Sequence, residues 1–241
     1  MSDTIFHTSP AVPRRLWQVA GGLAIAHVVL IPVGIFFQAG PLFADGVRGI
    51  EEDYVGGDLT RSFTGGIIES FGFILLIAVM TFLGGALGRT TEAGRWAART
   101  GLACGLAYVA VTFAVGFPAG AASMYGAQHG LDVDTAFALN NVRIFSYFLS
   151  LLLLGASTIG FAAAALADGV HPRWFGAFGL ATGALVMAST PLAGIGQQDW
   201  GTLVWMVWMV GAGVLMLRHR VAEDVAIPSS TRVASGTIDA R

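Results

Sequence analysis

The sequence predicts an all-α, polytopic membrane protein with six transmembrane helices. Of its 241 residues, 55% are hydrophobic and only 12% are charged, roughly half the charged fraction of an ordinary soluble domain. Six apolar runs are long enough to cross a hydrocarbon core of roughly 30 Å. They cover residues 16–39, 63–87, 101–126, 144–167, 174–195 and 202–217. The connections are too short for a soluble domain, so we expect one transmembrane bundle over residues 16–217.

The basic residues orient this bundle, and all 13 of them are arginines. They gather in alternate connections and at both ends: Arg14, Arg15, Arg89, Arg95, Arg99, Arg173, Arg218 and Arg220. The opposite loops are rich in Asp and Glu, so the positive-inside rule places both termini in the cytoplasm, in a plasma-membrane protein. We expect residues 1–15 to form a cytoplasmic segment and residues 218–241 a disordered cytoplasmic tail. The absence of lysine excludes Schiff-base chemistry.

The first, third and fifth spans begin alike, with RRLWQVAGGLA, GRWAARTGLA and PRWFGAFGLA. Trp96 follows Trp17 by 79 residues and Trp174 follows Trp96 by 78, which is typical of three two-helix hairpin repeats. Arginine and tryptophan at a cytoplasmic boundary explain the same pattern without duplication. Each of these spans also has one proline in its outer part, where a kink could open a cavity: Pro32, Pro118 and Pro191.

The first outer loop and the glycines supply two further predictions. Residues 41–62 place Phe43, Val47, Ile50 and Tyr54 at near-helical spacing, which predicts a short amphipathic helix at the outer surface, either a lid or an ordinary loop. Three pairs of glycines four residues apart predict close helix packing, or else surfaces for a membrane-protein partner or a second copy. They are Gly84 and Gly88, Gly101 and Gly105, and Gly116 and Gly120.

Glu69, in GGIIESFGF, is the candidate functional residue of the second span. It lies roughly 10 Å from the outer end at 1.5 Å per residue. Charged side chains at such depth are costly and normally face the protein interior. Its helical neighbours Gly65, Gly66 and Gly72 leave a notched face that another helix can cover.

Other polar side chains of the outer half could meet Glu69. In the fourth span, Arg143, Ser146, Tyr147 and Ser150 share one helical face. We therefore predict an outward-facing polar pocket centred on Glu69 and Arg143. The remaining candidate binding residues are Tyr147, Gln38, Asn140 and Tyr125. The alternative is a purely structural ion pair or a Glu–Tyr pair that joins the second and fourth spans.

The remaining polar and aromatic residues of the spans favour a role in helix packing, with a functional role as the alternative. His27 in the first span is either a helix contact or a proton relay. Trp205 and Trp208 either pack the bundle or line an apolar pocket. The five histidines have no ligand spacing and Cys104 is the only cysteine, so we expect no metal and no cofactor.

Two resemblances bear on these predictions. ALNNVR, PRWFGAFGLATGAL and LVWMVWMVGAGVLMLRHR, which open the fourth and fifth spans and close the sixth, resemble actinobacterial six-helix membrane proteins of the family known as DUF4386. That resemblance implies fold and membrane location only. The chain is also similar in length to the small integral-membrane terpene cyclases, which implies Glu69 as general acid with Asp199 as its partner. Those cyclases have seven spans and an aromatic residue before the glutamate, where this chain has Ile68.

Three function classes follow. The leading hypothesis is a membrane protein that binds or translocates a small, hydrophobic or amphipathic molecule through the outer pocket. The alternative is a membrane-embedded enzyme acting on an isoprenoid or lipid. The third is an accessory subunit that binds another membrane protein. The lipid bilayer is a partner in every case, and nucleic acid is expected in none.

Overall fold

The computed structural model describes residues 12–38, 40–195 and 199–219, and every regular element within these ranges is helical. The helices are α1 (Arg14–Phe37), α2 (Gly46–Gly49), α3 (Leu59–Ala86), α4 (Glu92–Val111), α5 (Phe117–Gln128), α6 (Val133–Asp168), α7 (Arg173–Ser189) and α8 (Asp199–Leu217). Six segments are long and apolar enough to cross a membrane: α1, α3, α4 with α5, α6, α7 and α8. The predicted all-α polytopic fold is confirmed, and the protein is a multi-pass membrane protein.

Several helices begin earlier than the apolar runs predict, because polar residues cap them outside the hydrophobic stretch. Asp58 accepts a hydrogen bond from the Arg61 backbone N–H at 2.9 Å at the start of α3. Thr91 and Asp132 cap α4 and α6 in the same way, each at 2.9 Å. Hydrophobicity marks the part of a helix that lies in lipid, whereas capping marks where the helix begins.

The third membrane segment is bent. Between α4 and α5 the chain makes a π-helical turn at Thr112–Gly116, directly before Pro118. A proline has no backbone N–H to donate, and the wider turn accommodates it. Pro32 lies within continuous α1, and Pro191 lies in the 3-10 turn Thr190–Ile195 after α7.

The membrane segments form a closed ring in chain order. Each packs against the next along the sequence, and α8 packs back on α1. In this ring α3 contacts α4 more extensively than α5, and it does not pack substantially on α6. We call the end that carries α2 the outer end and the opposite end the inner end, following the predicted orientation.

Small residues set the closest helix contacts. A Cβ added at Gly160 of α6 would lie 2.7 Å from the Ala97 carbonyl oxygen of α4. The Ser157 hydroxyl donates to the Gly101 carbonyl across the same contact at 2.7 Å. The predicted close packing at Gly101 is confirmed, and it is used within the chain. Of the three boundary tryptophans, only Trp17 is buried, so the repeat stays a prediction.

The helix predicted in the first outer loop is present. Residues Phe43–Asp45, α2 and Ile50–Val55 form consecutive 3-10, α and π turns. Ile50 and Tyr54 are buried against Met124, Ala127 and Ala136 at the outer ends of α5 and α6. The loop therefore covers the outer end of the bundle. Most of the predicted N-terminal segment and tail, together with Gln197 and Gln198, lies outside the described residues.

Candidate functional site

A cavity of about 180 Å³ lies in the outer half of the bundle, between α3 and α5 and beneath the first outer loop. Its polar lining comes from Gln38, Tyr54, Ser62, Ser70 and Arg143. Its apolar lining comes from Phe63, Ile67, Phe117, Ala121 and Met124. The glycines Gly66, Gly116 and Gly120 complete its wall. We refer to this space as the outer cavity.

Arg143 is the cation of the outer cavity, and neutral groups hold it. Its Nε donates to the Asn140 side-chain oxygen at 2.8 Å, and its Nη2 donates to the Pro41 carbonyl at 3.0 Å. Gly120 makes room for it, since a Cβ there would lie 2.6 Å from the Arg143 Cδ. Within the described part of the chain, no carboxylate forms a salt bridge with Arg143. The positive charge therefore borders the cavity without an ionic partner there.

Glu69 lies beside the outer cavity, and Gln38 stands between them. The Gln38 Nε2 donates to the Glu69 carboxylate at 2.6 Å, and Gln38 also lines the cavity. A Cβ added at Gly34 of α1 would lie 2.9 Å from the Glu69 Cβ. The glycine-notched face of Glu69 is thus covered closely, as expected, but by α1.

Glu69 and Arg143 form no salt bridge, so the structural alternative of a Glu69–Arg143 ion pair is wrong. Glu69 packs against α1 and lies within electrostatic reach of Arg143 and Tyr147 on α6. Spacing along a helix shows which residues share a face. It does not show which neighbouring helix that face meets, and here the ring order places α1 against it.

A hydrogen-bonded cluster fixes the roof of the cavity. Asn140 is fully buried; its amide donates to the Pro41 carbonyl at 3.2 Å, and it accepts from the Tyr54 hydroxyl at 3.1 Å. Gln128 donates to the backbone carbonyls of Tyr54 and Gly57. Burial raises the pKa of the Tyr54 hydroxyl, so this group remains a proton donor at neutral pH. Tyr54 was expected only as part of an amphipathic helix, because its polar tip carries no separate signal in the sequence.

The outer cavity does not reach Tyr147, Asp199 or Tyr125. The Tyr147 hydroxyl is 3.3 Å from the Thr202 hydroxyl of α8 and also interacts with Asp199, so this group joins α6 to α8. Tyr125 is half exposed and stacks on His129 with ring centroids 3.9 Å apart. Of the predicted residues, Gln38 and Arg143 therefore line the cavity, Asn140 holds Arg143 from behind the lining, and Glu69 is linked through Gln38.

The deeper polar and aromatic residues form helix contacts. His27 is buried, and its Nδ1 lies 2.8 Å from the Gly72 carbonyl of α3. A carbonyl oxygen only accepts, so Nδ1 carries the proton. Trp205 donates to the Thr158 hydroxyl at 3.0 Å, and Trp208 stacks on Phe175. Both tryptophans are buried, which favours packing.

No group of three or more His, Cys, Asp or Glu side chains is placed to hold a metal ion within the described ranges. Comparison of the sequence with family models, and of the chain with curated proteins and solved structures, finds no match. The resemblance to the DUF4386 family therefore stays a prediction.

Proposed function

We propose that this protein binds or translocates a small, partly hydrophobic molecule at the outer cavity, in the plasma membrane. One observation carries this proposal: an arginine without a described carboxylate partner and an apolar wall border the same 180 Å³ space. Binding sites for small molecules are typically apolar cavities with a few fixed polar groups. A charge within a membrane span is costly to keep unless the charge has a use.

The polar groups of the cavity are held in place before a ligand arrives. Asn140 and the Pro41 carbonyl fix the Arg143 guanidinium, and the Tyr54 hydroxyl fixes Asn140. Such preorganisation reduces the ordering cost of binding. Glu69 acts indirectly, because its carboxylate accepts a hydrogen bond from Gln38 and does not line the cavity. We assign it the role of a proton- or cation-responsive group that orients the Gln38 amide.

The experiment fills the cavity without disturbing the fold. Gly66 lines the cavity, and a Cβ there meets only the Gln38 side chain, at 3.8 Å. Gly66→Leu should therefore occupy the space that a ligand needs. The matched control is Gly85→Leu on the same helix, where nothing lies within 4 Å of the added Cβ. Both variants should insert and unfold like the unmodified protein.

The readout is retention of dodecanoate or dodecanol by the purified protein, measured by native mass spectrometry. We expect a one-to-one adduct that Gly66→Leu weakens by at least about tenfold and Gly85→Leu leaves unchanged. Equal retention by both variants, or retention of neither amphiphile by the unmodified protein, would overturn the proposal.

One observation favours the enzyme alternative. Glu69 and Asp199 both lie close enough to Tyr147 to act on its hydroxyl electrostatically. If the protein is an acid catalyst on an isoprenoid or lipid, Glu69→Gln abolishes turnover while the protein still folds and inserts. The accessory-subunit class gains no such support, because the glycine contact between α4 and α6 is satisfied within the chain.

A further inference from the structure

We infer that the ligand is an anionic, single-chain amphiphile that reaches the outer cavity sideways, from the outer leaflet of the bilayer, and places its head group on Arg143. This inference rests on the proposed function. It adds the charge of the ligand, the part of the ligand that is enclosed, and the route by which it arrives. Each of these follows from a separate feature of the cavity.

The negative charge of the ligand is inferred from the guanidinium N–H donors of Arg143 that remain available. Its Nε donates a hydrogen bond to Asn140 and its Nη2 donates one to Pro41. Its Nη1 donates to none of the residues that the structure describes. Both acceptors are neutral, so no hydrogen-bonded carboxylate compensates the positive charge, which acts on Glu69 only through space. The nearby carboxylate of Glu69 is engaged by Gln38. A planar guanidinium with free donors suits a carboxylate or phosphate oxygen.

The route follows from the helices around the cavity. Along the outer half of the bundle α3 touches α5 only slightly, beyond the π turn of the third segment. Phe63 and Ile67 line the cavity, and 38% and 59% of their surfaces are exposed at the side of the bundle. At 1.5 Å per residue, Ile67 lies about 12 Å below the start of α3 and about 6 Å below residue 63, where the apolar run of this helix begins. The gap therefore opens toward lipid chains.

The first outer loop covers the aqueous side of the cavity. Tyr54 contacts Asn140, Asn140 contacts Pro41, and Gln128 holds the backbone of Tyr54 and Gly57. These bonds fasten the first outer loop to α5 and α6 directly above the cavity. A ligand that entered through the roof would have to break them, whereas a ligand that entered between α3 and α5 would not.

The size of the cavity limits what it encloses. Pockets that enclose drug-sized ligands measure roughly 300–1,000 Å³, and the outer cavity measures about 180 Å³. It can hold a head group and the first part of one chain. The remainder of the chain would lie in the gap between α3 and α5, against Phe63 and Ile67. Single-chain carboxylates and phosphate monoesters fit this description.

The test uses the full chain in lipid nanodiscs and four competing probes: hexadecanoate, hexadecyl phosphate, hexadecanol and butanoate. Each probe competes with a photoreactive hexadecanoate whose cross-links are mapped by peptide mass spectrometry. We expect both long-chain anions to compete, with hexadecanol and butanoate at least about tenfold weaker. Cross-links should fall on the α3 and α5 residues that line the cavity.

Two sets of variants separate charge from route. Arg143→Gln should weaken binding of the long-chain anions to the level of hexadecanol binding. Arg143→Lys should recover part of the lost affinity. Unchanged hexadecanol binding shows that the glutamine variant is folded. Ile67→Trp should obstruct the gap and reduce cross-linking. Ile74→Trp is its matched control, since Ile74 is similarly exposed on the same helix and does not line the cavity.

The failures are distinguishable. If hexadecanol binds as well as the anions and Arg143→Gln has no effect, while Gly66→Leu still prevents binding, the anionic ligand is excluded and the proposed function stands. If butanoate competes equally and Ile67→Trp has no effect, the lateral route is excluded. If no probe responds to Gly66→Leu, the proposed function itself fails.

Discussion

His171 shows how a single residue can make stability depend on pH. It lies at the inner end of the bundle between Trp17 and Phe175, with ring centroids 6.1 and 6.0 Å away. His219 stacks on the same Trp17 at 4.4 Å. Burial, with a smaller contribution from the His219 charge, lowers the pKa of His171 to about 4. Burial also lowers the pKa of His219.

The free energy of unfolding should therefore fall as the pH drops from about 6.5 toward about 4. In this window the unfolded chain binds a proton that the folded protein resists, so protonation favours unfolding. The contribution of neutral His171 to stability is fully present above the pKa that histidine has in the unfolded chain. We expect His171→Gln to reduce the stability difference between about pH 7.5 and about pH 5, measured by denaturation in detergent. His129→Gln, at an exposed histidine of the outer end, is the control. An unaltered pH difference in His171→Gln would refute this account.

Some site residues could be predicted from the sequence and others could not. Gln38, Asn140 and Arg143 are polar residues in apolar surroundings, so the cost of burying them indicates an interior position. Tyr125 was expected at the pocket and faces outward. The π turn before α5 adds a residue to the helix and rotates everything after it by roughly 100°. No apolar period in the sequence records that rotation.

Among the helices, the contact between α4 and α6 is close and has a simple sequence basis. A Cβ at Gly101 would lie 3.0 Å from the Phe161 backbone nitrogen, and one at Gly160 would lie 2.7 Å from the Gly101 Cα. The distance at Gly160 is too short for a side chain, and the distance at Gly101 leaves room for one only if its neighbours shift. The hydrogen bond from Ser157 to the Gly101 carbonyl requires the same approach. Small residues at helix interfaces allow such backbone contact in membranes.

Gly160→Leu should separate α4 from α6 and reduce the free energy of unfolding by about 1–3 kcal/mol or more. The leucine would have to displace the Ala97 carbonyl, which is backbone and cannot move aside cheaply. Gly85→Leu adds the same side chain to α3 where nothing lies within 4 Å, so it should cost little. Denaturation in detergent micelles measures both variants. Equal stability of the two would show that the contact is looser than the structure indicates.

For the elements, the existence of six spans could be predicted and their bounds could not. Apolar composition reports the lipid-embedded part of each helix. The polar first turns of α4 and α6 are stabilised by Thr91 and Asp132 instead, and no hydrophobic signal marks them. The bend in the third segment was expected from Pro118, but no residue pattern in the sequence marks its form as a π turn.

At the scale of the whole molecule, the ring of helices has two chemically different ends. The outer end has the first outer loop fastened over a cavity with Arg143 at its wall. The inner end has an aromatic cluster of Trp17, Phe175 and two histidines. Which end faces the cytoplasm decides which leaflet can supply the proposed ligand.

The arginine distribution predicts that the outer end faces away from the cytoplasm. Cys104 is the only cysteine, so a Cys104→Ser background allows single cysteines to be placed at will. Asp134 is exposed in the first turn of α6 at the outer end, and Glu92 is exposed in the first turn of α4 at the inner end. We expect a membrane-impermeant maleimide to label Asp134→Cys on intact cells, and to label Glu92→Cys only after the cells are opened.

Opened cells should label at both positions, which controls for accessibility of the thiols. Labelling of Glu92→Cys alone on intact cells would reverse the orientation. The outer cavity would then face the cytoplasm, and the gap between α3 and α5 would draw its anionic amphiphile from the inner leaflet. Because the cavity, its arginine and its lateral gap are fixed within one bundle, orientation changes the source of the ligand and leaves its chemistry the same.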